Sequence, residues 1–186
     1  MKKFAIAMAL LLTLAPLSAG QTTRKRDVTL SQQSRANIRQ AVAAVGLILV
    51  RGSGDDLPRP RGSGVIVKSD GVVVTNNHVI ADEKPDKLFS EIFFALSEEG
   101  VAATSESKRY RLRPLLINRE YDLALLRIES DSESMVFPAV EIGDSQAVKL
   151  LDDLTIIGFP EKGGSTVTIS RGEVQGKDIL GNWIKT

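Results

Sequence analysis

Short apolar runs, broken by clusters of glycine, proline and charged residues, set the rhythm of this 186-residue chain. Val45-Gly-Leu-Ile-Leu-Val50 is a continuous apolar run of the kind a buried strand shows. Val65–Val67 and Val72–Thr75 are β-branched runs on either side of Lys68-Ser-Asp-Gly71, and Asp-Gly at such a junction is a strong hairpin signal. Ile92–Leu96 is too short for periodicity to separate strand from helix; it is read as a strand preceded by an elaborated loop. Tyr110–Asn118 alternates imperfectly, with Arg111 and Arg113 on one side and Leu112, Leu115 and Ile117 available for burial. Asp122–Ile128, Leu154–Gly158, Thr166–Ile169, Gly172–Val174 and Asn182–Thr186 continue the series. Short strands at this spacing predict an all-β barrel protein.

Between these runs the breakers dominate. Arg51–Gly62 is read throughout as a loop, its alternating charges as a solvated surface turn. Ser31–Ala41 favours helix, with Ser31 able to cap it. The long stretch from Asp82 to Lys108 is read as a surface insertion without specific function, a loop in contact with substrate being the alternative.

The N-terminus follows a different pattern. Met1-Lys2-Lys3 precedes the apolar stretch Phe4–Leu14, shorter than the roughly 20 residues a membrane span requires, and Ser18-Ala19-Gly20 supplies small residues for cleavage before Gln21. Residues 1–20 are therefore expected to be a signal peptide and 21–30 a flexible N-terminus, giving a periplasmic or secreted protein with no membrane anchor after cleavage. The chain has no cysteine, which excludes a disulfide framework, thiol catalysis and Cys-based zinc sites, and fits an exported protein held by packing alone. Of 24 basic residues, removal of Lys2 and Lys3 leaves 22 against 23 acidic ones, a balance that makes no case for nucleic acid as a partner.

The candidate chemistry centres on His78, the only histidine in the chain. It lies just past the predicted strand ending at Thr75, where a side chain is anchored by sheet yet free to project from a loop. A lone histidine is also compatible with a ring satisfied by nearby backbone. Asp122, at the mouth of the apolar strand Leu123–Ile128, offers a carboxylate in an order, His then Asp, that matches one of the triad orders. Imidazole can take a proton from a serine hydroxyl near neutral pH, and a carboxylate on the far ring nitrogen fixes the tautomer and stabilises the imidazolium. Asn76 and Asn77 are read as holding the loop through backbone hydrogen bonds.

Thr75-Asn-Asn-His-Val79 and Asp122-Leu-Ala-Leu-Leu-Arg-Ile128 resemble the histidine and aspartate motifs of trypsin-like serine proteases of the HtrA/Deg type. Gly62-Ser-Gly64, Ile142-Gly-Asp-Ser145, and Ile157-Gly-Phe-Pro160 with Thr166-Val-Thr168 after it resemble that family too. The resemblance implies a chymotrypsin-like double β-barrel, the first barrel complete over residues 31–140 with its N-terminal helix, and the second begun over 141–186 and incomplete. It implies His78 and Asp122 as catalytic residues, polypeptide substrates such as misfolded envelope proteins, and no cofactor or metal. HtrA-like proteins often form homo-oligomers, although nothing in Gln21–Asn37 marks a trimer contact.

The resemblance stops short of a nucleophile. Ser145 follows Gly143-Asp144, but Gln146 and Ala147 come next, so the tight turn that forms an oxyanion hole is not encoded, and the similar Gly-Asp-Ser of HtrA-type chains lies between the barrels. Ser165 precedes a strand at a place where the family has a loop. The Gly-Asn-Ser-Gly-Gly motif is expected beyond Thr186, in a longer protease of which this is the front portion, and the 186-residue chain alone is expected to be inactive. The alternatives are a non-catalytic chymotrypsin-fold module that binds peptides, and a structural β-domain in which His78 and Asp122 stand apart.

Overall fold

Phe94, with no exposed surface, is the centre about which the strands close. In the computed structural model, which describes residues 32–82, 87–96, 108–130, 132, 134–159, 166–178 and 183–185, its ring lies against Gly46 and Gly64. A Cβ on Gly46 would stand 2.4 Å from Phe94 Cζ, and one on Gly64 2.9 Å from both Ile48 Cδ1 and Val73 Cγ1. The two glycines are the space a large ring needs inside a narrow barrel.

The chain begins with helix α1 (Gln32–Ala44), then strands β1 (Val45–Arg51), β2 (Arg59–Lys68) and β3 (Val72–Asn76), and the single-turn helix α2 (Asn77–Ile80). Strands β4 (Glu91–Leu96), β5 (Arg109–Asn118) and β6 (Leu123–Glu129) complete a closed antiparallel barrel in the order β1-β2-β3-β6-β5-β4. Closure removes the open edges that would otherwise invite pairing with other chains. After it come β7 (Asp153–Gly158) paired with β8 (Thr168–Glu173), and β9 (Gly176–Asp178) paired with β10 (Trp183–Lys185).

The burial pattern explains the sequence pattern. On β6, Ala124, Leu126 and Ile128 are buried and alternate with more exposed Leu123, Leu125 and Arg127, as a strand with one face on the core requires. On β1, Val45 to Val50 are all buried because both faces are covered. Ile48 and Val50 point into the barrel with Phe94, Leu112 and Leu126, whereas Val45, Leu47 and Leu49 pack outside it with Ala95 and Phe159. Phe159 thus joins the chain after the barrel to the barrel wall. Its N–H donates to Ser63 Oγ at 2.7 Å, a bond spanning 96 residues of sequence.

The hairpin expected at Asp70-Gly71 is present, with Gly71 at φ 88°, a conformation natural only to glycine. The helix runs Gln32–Ala44, longer than Ser31–Ala41, and Ser31 lies outside the described residues. Ile92–Leu96 is strand, fixed by pairing with β1 on one side and β5 on the other. Two expectations are corrected. The segment Arg51–Gly62 is not all loop: β2 starts at Arg59, because pairing of Pro60 with Leu49 and of Arg59 with Val50 outweighs the local breaker signals. Thr166–Ile169 and Gly172–Val174 are not separate strands; β8 runs through Thr168–Glu173, in register with β7 from Gly158 to Asp153. The signal-peptide stretch, residues 21–30, most of the 82–108 insertion, Ser165 and Asn182 lie outside the described residues. Among the described residues no helix is long and apolar enough to cross a membrane.

Candidate active site

Strands β3 and β6 are paired, Asn76 opposite Leu123, so the residues just beyond these positions meet at one end of the barrel. His78 follows Asn76 on α2, where a single helical turn, not the expected loop, swings its side chain over the sheet end. Asp122 precedes Leu123. Its φ of 52° lies in the left-handed region, which Asp tolerates better than most residues and which is enriched at functional sites.

Asp122 is a junction of five hydrogen bonds, one of them from its own N–H to the Arg119 carbonyl at 3.3 Å. Its backbone carbonyl accepts the Asn77 N–H and Asn76 Nδ2, each at 3.0 Å. Its carboxylate accepts the His78 backbone N–H on Oδ1 at 2.8 Å, and Oδ2 lies 2.6 Å from His78 Nδ1. The two residues singled out in the sequence are therefore brought together, and the arrangement in which they stand apart is ruled out. Asn76 does hold the turn through a backbone carbonyl, as expected. Asn77 does so through its own N–H, while its side-chain Oδ1 is buried without a hydrogen-bond partner among the described residues.

Electrostatics agree with the geometry. Partial burial pushes the Asp122 pKa up, but the hydrogen bonds from the His78 ring and backbone, the attraction of its charge and the Asn76 amide together outweigh it, leaving the carboxyl below its ordinary value. An ionised carboxylate only accepts, so the proton of the shared bond sits on Nδ1, and in the neutral ring the Nε2 lone pair is then left as a base. The imidazole is 70% exposed, open to an incoming group.

Among the described residues the His78 ring is hydrogen-bonded to Asp122 and to no serine hydroxyl. Ser63 is engaged with Phe159. Ser145 lies in an exposed turn closed by Asp144, whose Oδ1 accepts the Gln146 N–H at 2.8 Å, and Lys177 Nζ donates to the Ser145 carbonyl at 2.9 Å. No group of metal-ligating side chains occurs among the described residues. Sequence reasoning missed one neighbour of His78, Arg61, and the ring of Phe89 beneath it. Arg61 Nη2 donates to the His78 carbonyl at 3.2 Å and lies over the Phe89 ring. Nothing local marks Arg61, which looked like one charge among several in a surface turn.

A six-stranded antiparallel barrel with a histidine and an aspartate bonded at one rim is the first half of a chymotrypsin-like fold. Residues 62–185 match the trypsin-like peptidase domain, and the chain belongs to that family. It is 32% identical over 116 residues, 62% of this chain, to the magnetosome formation protease MamE of Paramagnetospirillum magneticum, of which the match covers 14%. It is 30% identical over 126 residues, 68% of this chain, to a probable periplasmic serine endoprotease, DegP-like, of Brucella suis, of which the match covers 21%. The HtrA/Deg type read from the motifs is thus also the type of the DegP-like relative. The fold resembles that of the serine endoprotease from Yersinia pestis, with a TM-score of 0.60 at 23% identity over 81% of this chain and 46% of that one. The chain spans about a fifth or less of the length of these two relatives.

Proposed function

We propose that this chain carries the proton-transfer half of an exported serine endopeptidase: His78 is the general base and acid, and Asp122 orients and stabilises its imidazolium. The observation that carries this reading is the 2.6 Å contact from His78 Nδ1 to Asp122 Oδ2, with the opposite ring nitrogen open to solvent. The nucleophile in this reading is a serine of a Gly-Xaa-Ser-Gly-Gly turn outside the 186 residues; the greater length of the relatives, the engagement of the Ser63 hydroxyl by Phe159 and the absence of a hydrogen bond from His78 to Ser145 among the described residues support that assignment. The turn's backbone amides would supply the oxyanion hole, and attack of the serine oxygen on a peptide carbonyl would give an acyl-enzyme that water hydrolyses.

Substrates are polypeptides, in line with the peptidase family, and misfolded envelope proteins fit a periplasmic enzyme of the DegP-like kind. Export through residues 1–20 is supported by the basic start Met1-Lys2-Lys3, the apolar run Phe4–Leu14 and the small residues Ser18-Ala19-Gly20, and by the periplasmic designation of the DegP-like relative. In this reading residues 31–140 form one unit and 141–186 the start of a second.

The test is labelling by a serine-directed phosphonate. The protein joined to its in-frame downstream sequence should label, and His78→Ala should abolish labelling; persistent labelling in that variant removes His78 from the mechanism. Failure of the extended protein to label, with the His78–Asp122 bond intact, favours the peptide-binding module.

A further inference from the structure

A β-bulge sets a cationic group beside the candidate site. In the β1–β2 ladder Ile48 pairs with Gly62 and Leu49 with Pro60, so Arg61 is the extra residue. A bulged residue leaves the strand's alternation and can be re-aimed. Here it reaches the rim of the site, where Arg61 Nη2 donates to the His78 carbonyl at 3.2 Å.

Beneath it is a fixed aromatic floor. Phe89 is 6% exposed, and its N–H donates at 3.1 Å to the carbonyl of Ile80, the last residue of the turn that carries His78. The guanidinium carbons of Arg59 and Arg61 lie 5.3 Å and 5.6 Å from the centre of that ring, distances at which cation–π attraction limits where they wander. Both arginines are exposed.

Among the described residues no carboxylate is paired with Arg61. Asp55 Oδ2 stands 3.8 Å from Arg59 Nε and also accepts the Gly52 N–H at 2.8 Å, so it answers only the outer arginine. Asp122 is taken up by His78. A guanidinium has five N–H donors, and a single one of Arg61 is engaged by the His78 carbonyl. The remaining donors of this exposed side chain lie at the turn that carries His78, on a residue held from below, in a fork suited to a carboxylate.

We propose that Arg61, with Arg59 behind it on the Phe89 floor, binds a side-chain carboxylate of the polypeptide substrate, so that the site prefers Asp or Glu in the segment lying beside His78. The proposal rests on the reading of His78 and Asp122 as the peptidase site.

The single imidazole is the reporter. Chain labelled with nitrogen-15 in histidine is titrated with acetylated peptide amides of Ala and Leu, each carrying one Glu walked through the positions, and with matched peptides carrying Gln. At one position the Glu peptide should shift the His78 ring resonances with about fivefold tighter binding than its Gln partner, the size expected of an exposed ion pair. Raised salt should shrink that advantage, Arg61→Ala should remove it, and Arg61→Lys should keep part of it. Equal binding of Glu and Gln peptides at every position, binding of neither, or an advantage that survives in Arg61→Ala overturns the proposal. The low-field Nδ1 proton shared with Asp122 is read in the same spectra. Its presence in Arg61→Ala shows that the variant is folded, and its absence in the unaltered chain would strike the peptidase reading independently of the Glu–Gln comparison.

Discussion

Asp122 grips His78 with both carboxylate oxygens, Oδ2 on ring Nδ1 at 2.6 Å and Oδ1 on the main-chain N–H at 2.8 Å. One side chain therefore fixes both where the imidazole is and which way it faces. Asp122→Asn replaces one acceptor oxygen by an N–H donor. If the amide nitrogen faces Nδ1, the ring must give up its Nδ1 proton and carry it on Nε2, the tautomer that cannot act as base. The low-field Nδ1 proton seen by NMR should vanish, and in the protease completed by its nucleophile turnover should fall about 10³- to 10⁴-fold with the fold intact. An unchanged rate would mean that Asp122 does not orient the base.

The lowered pKa of Asp122 also ties stability to pH. Its carboxyl binds its proton less readily folded than unfolded, so its stabilising contribution is fully present above the ordinary carboxylate pKa of about 3.9 and is lost as pH falls through the lower folded value. The side chain is 39% exposed, so solvent screening holds the contribution to about 1 kcal/mol or less. Urea denaturation across a pH series should show the original chain more stable than Asp122→Asn near neutrality and the gap closing below about pH 4. A gap constant across the series would contradict the linkage.

Ser63→Ala should loosen the join between the barrel and the strand pair β7–β8. It removes the acceptor of the Phe159 N–H at a residue only 4% exposed, and an orphaned buried donor costs about 1–3 kcal/mol. Hydrogen exchange at the Phe159 amide should speed up well before exchange at barrel amides such as Leu126. Equal acceleration at both would place the damage in the barrel itself.

Gly46→Ala probes the packing of Phe94. The new methyl would fall 2.4 Å from Phe94 Cζ and 2.8 Å from the Ala95 carbonyl oxygen, and neither a buried ring nor backbone can yield cheaply. Overpacking of this kind should destabilise by about 1–3 kcal/mol in chemical denaturation. Pairing it with Phe94→Leu should recover part of the loss, since the smaller side chain frees the contested space.

Glu91 should tune salt sensitivity. It bridges Arg51 of β1 and Arg111 of β5, and Arg111 in turn lies 3.8 Å from Glu129 of β6, so the ion pairs run across the barrel wall. Glu91→Gln should cost about 1 kcal/mol or less at low ionic strength and nearly nothing at about 1 M salt. A cost that does not change with salt would assign Glu91 to packing, not charge.

Much of the barrel was legible because its signals are local. Asp70-Gly71 marks its own turn, and the alternation of β6 displays its inner face. His78 and Asp122 could be named from the motifs around them. The illegible features depend on partners distant in the chain. Arg59-Pro60-Arg61 is strand because β1 lies alongside it, and the bulge at Arg61 exists only in the register of that ladder. The left-handed backbone of Asp122 ends the turn in which its own N–H reaches the Arg119 carbonyl, and it is held also by hydrogen bonds from residues 76–78, which Tyr121-Asp122-Leu123 does not reveal. Helix α2 is a single turn, too short for any periodicity to reveal.

Because β3 and β6 are neighbours in one closed sheet, the histidine and the aspartate stand at the ends of barrel strands with which no described strand after Phe159 pairs. Recombination could therefore graft a new reactive serine or a new recognition cleft onto an unaltered base, provided that the seam at Ser63 and Phe159 still fits.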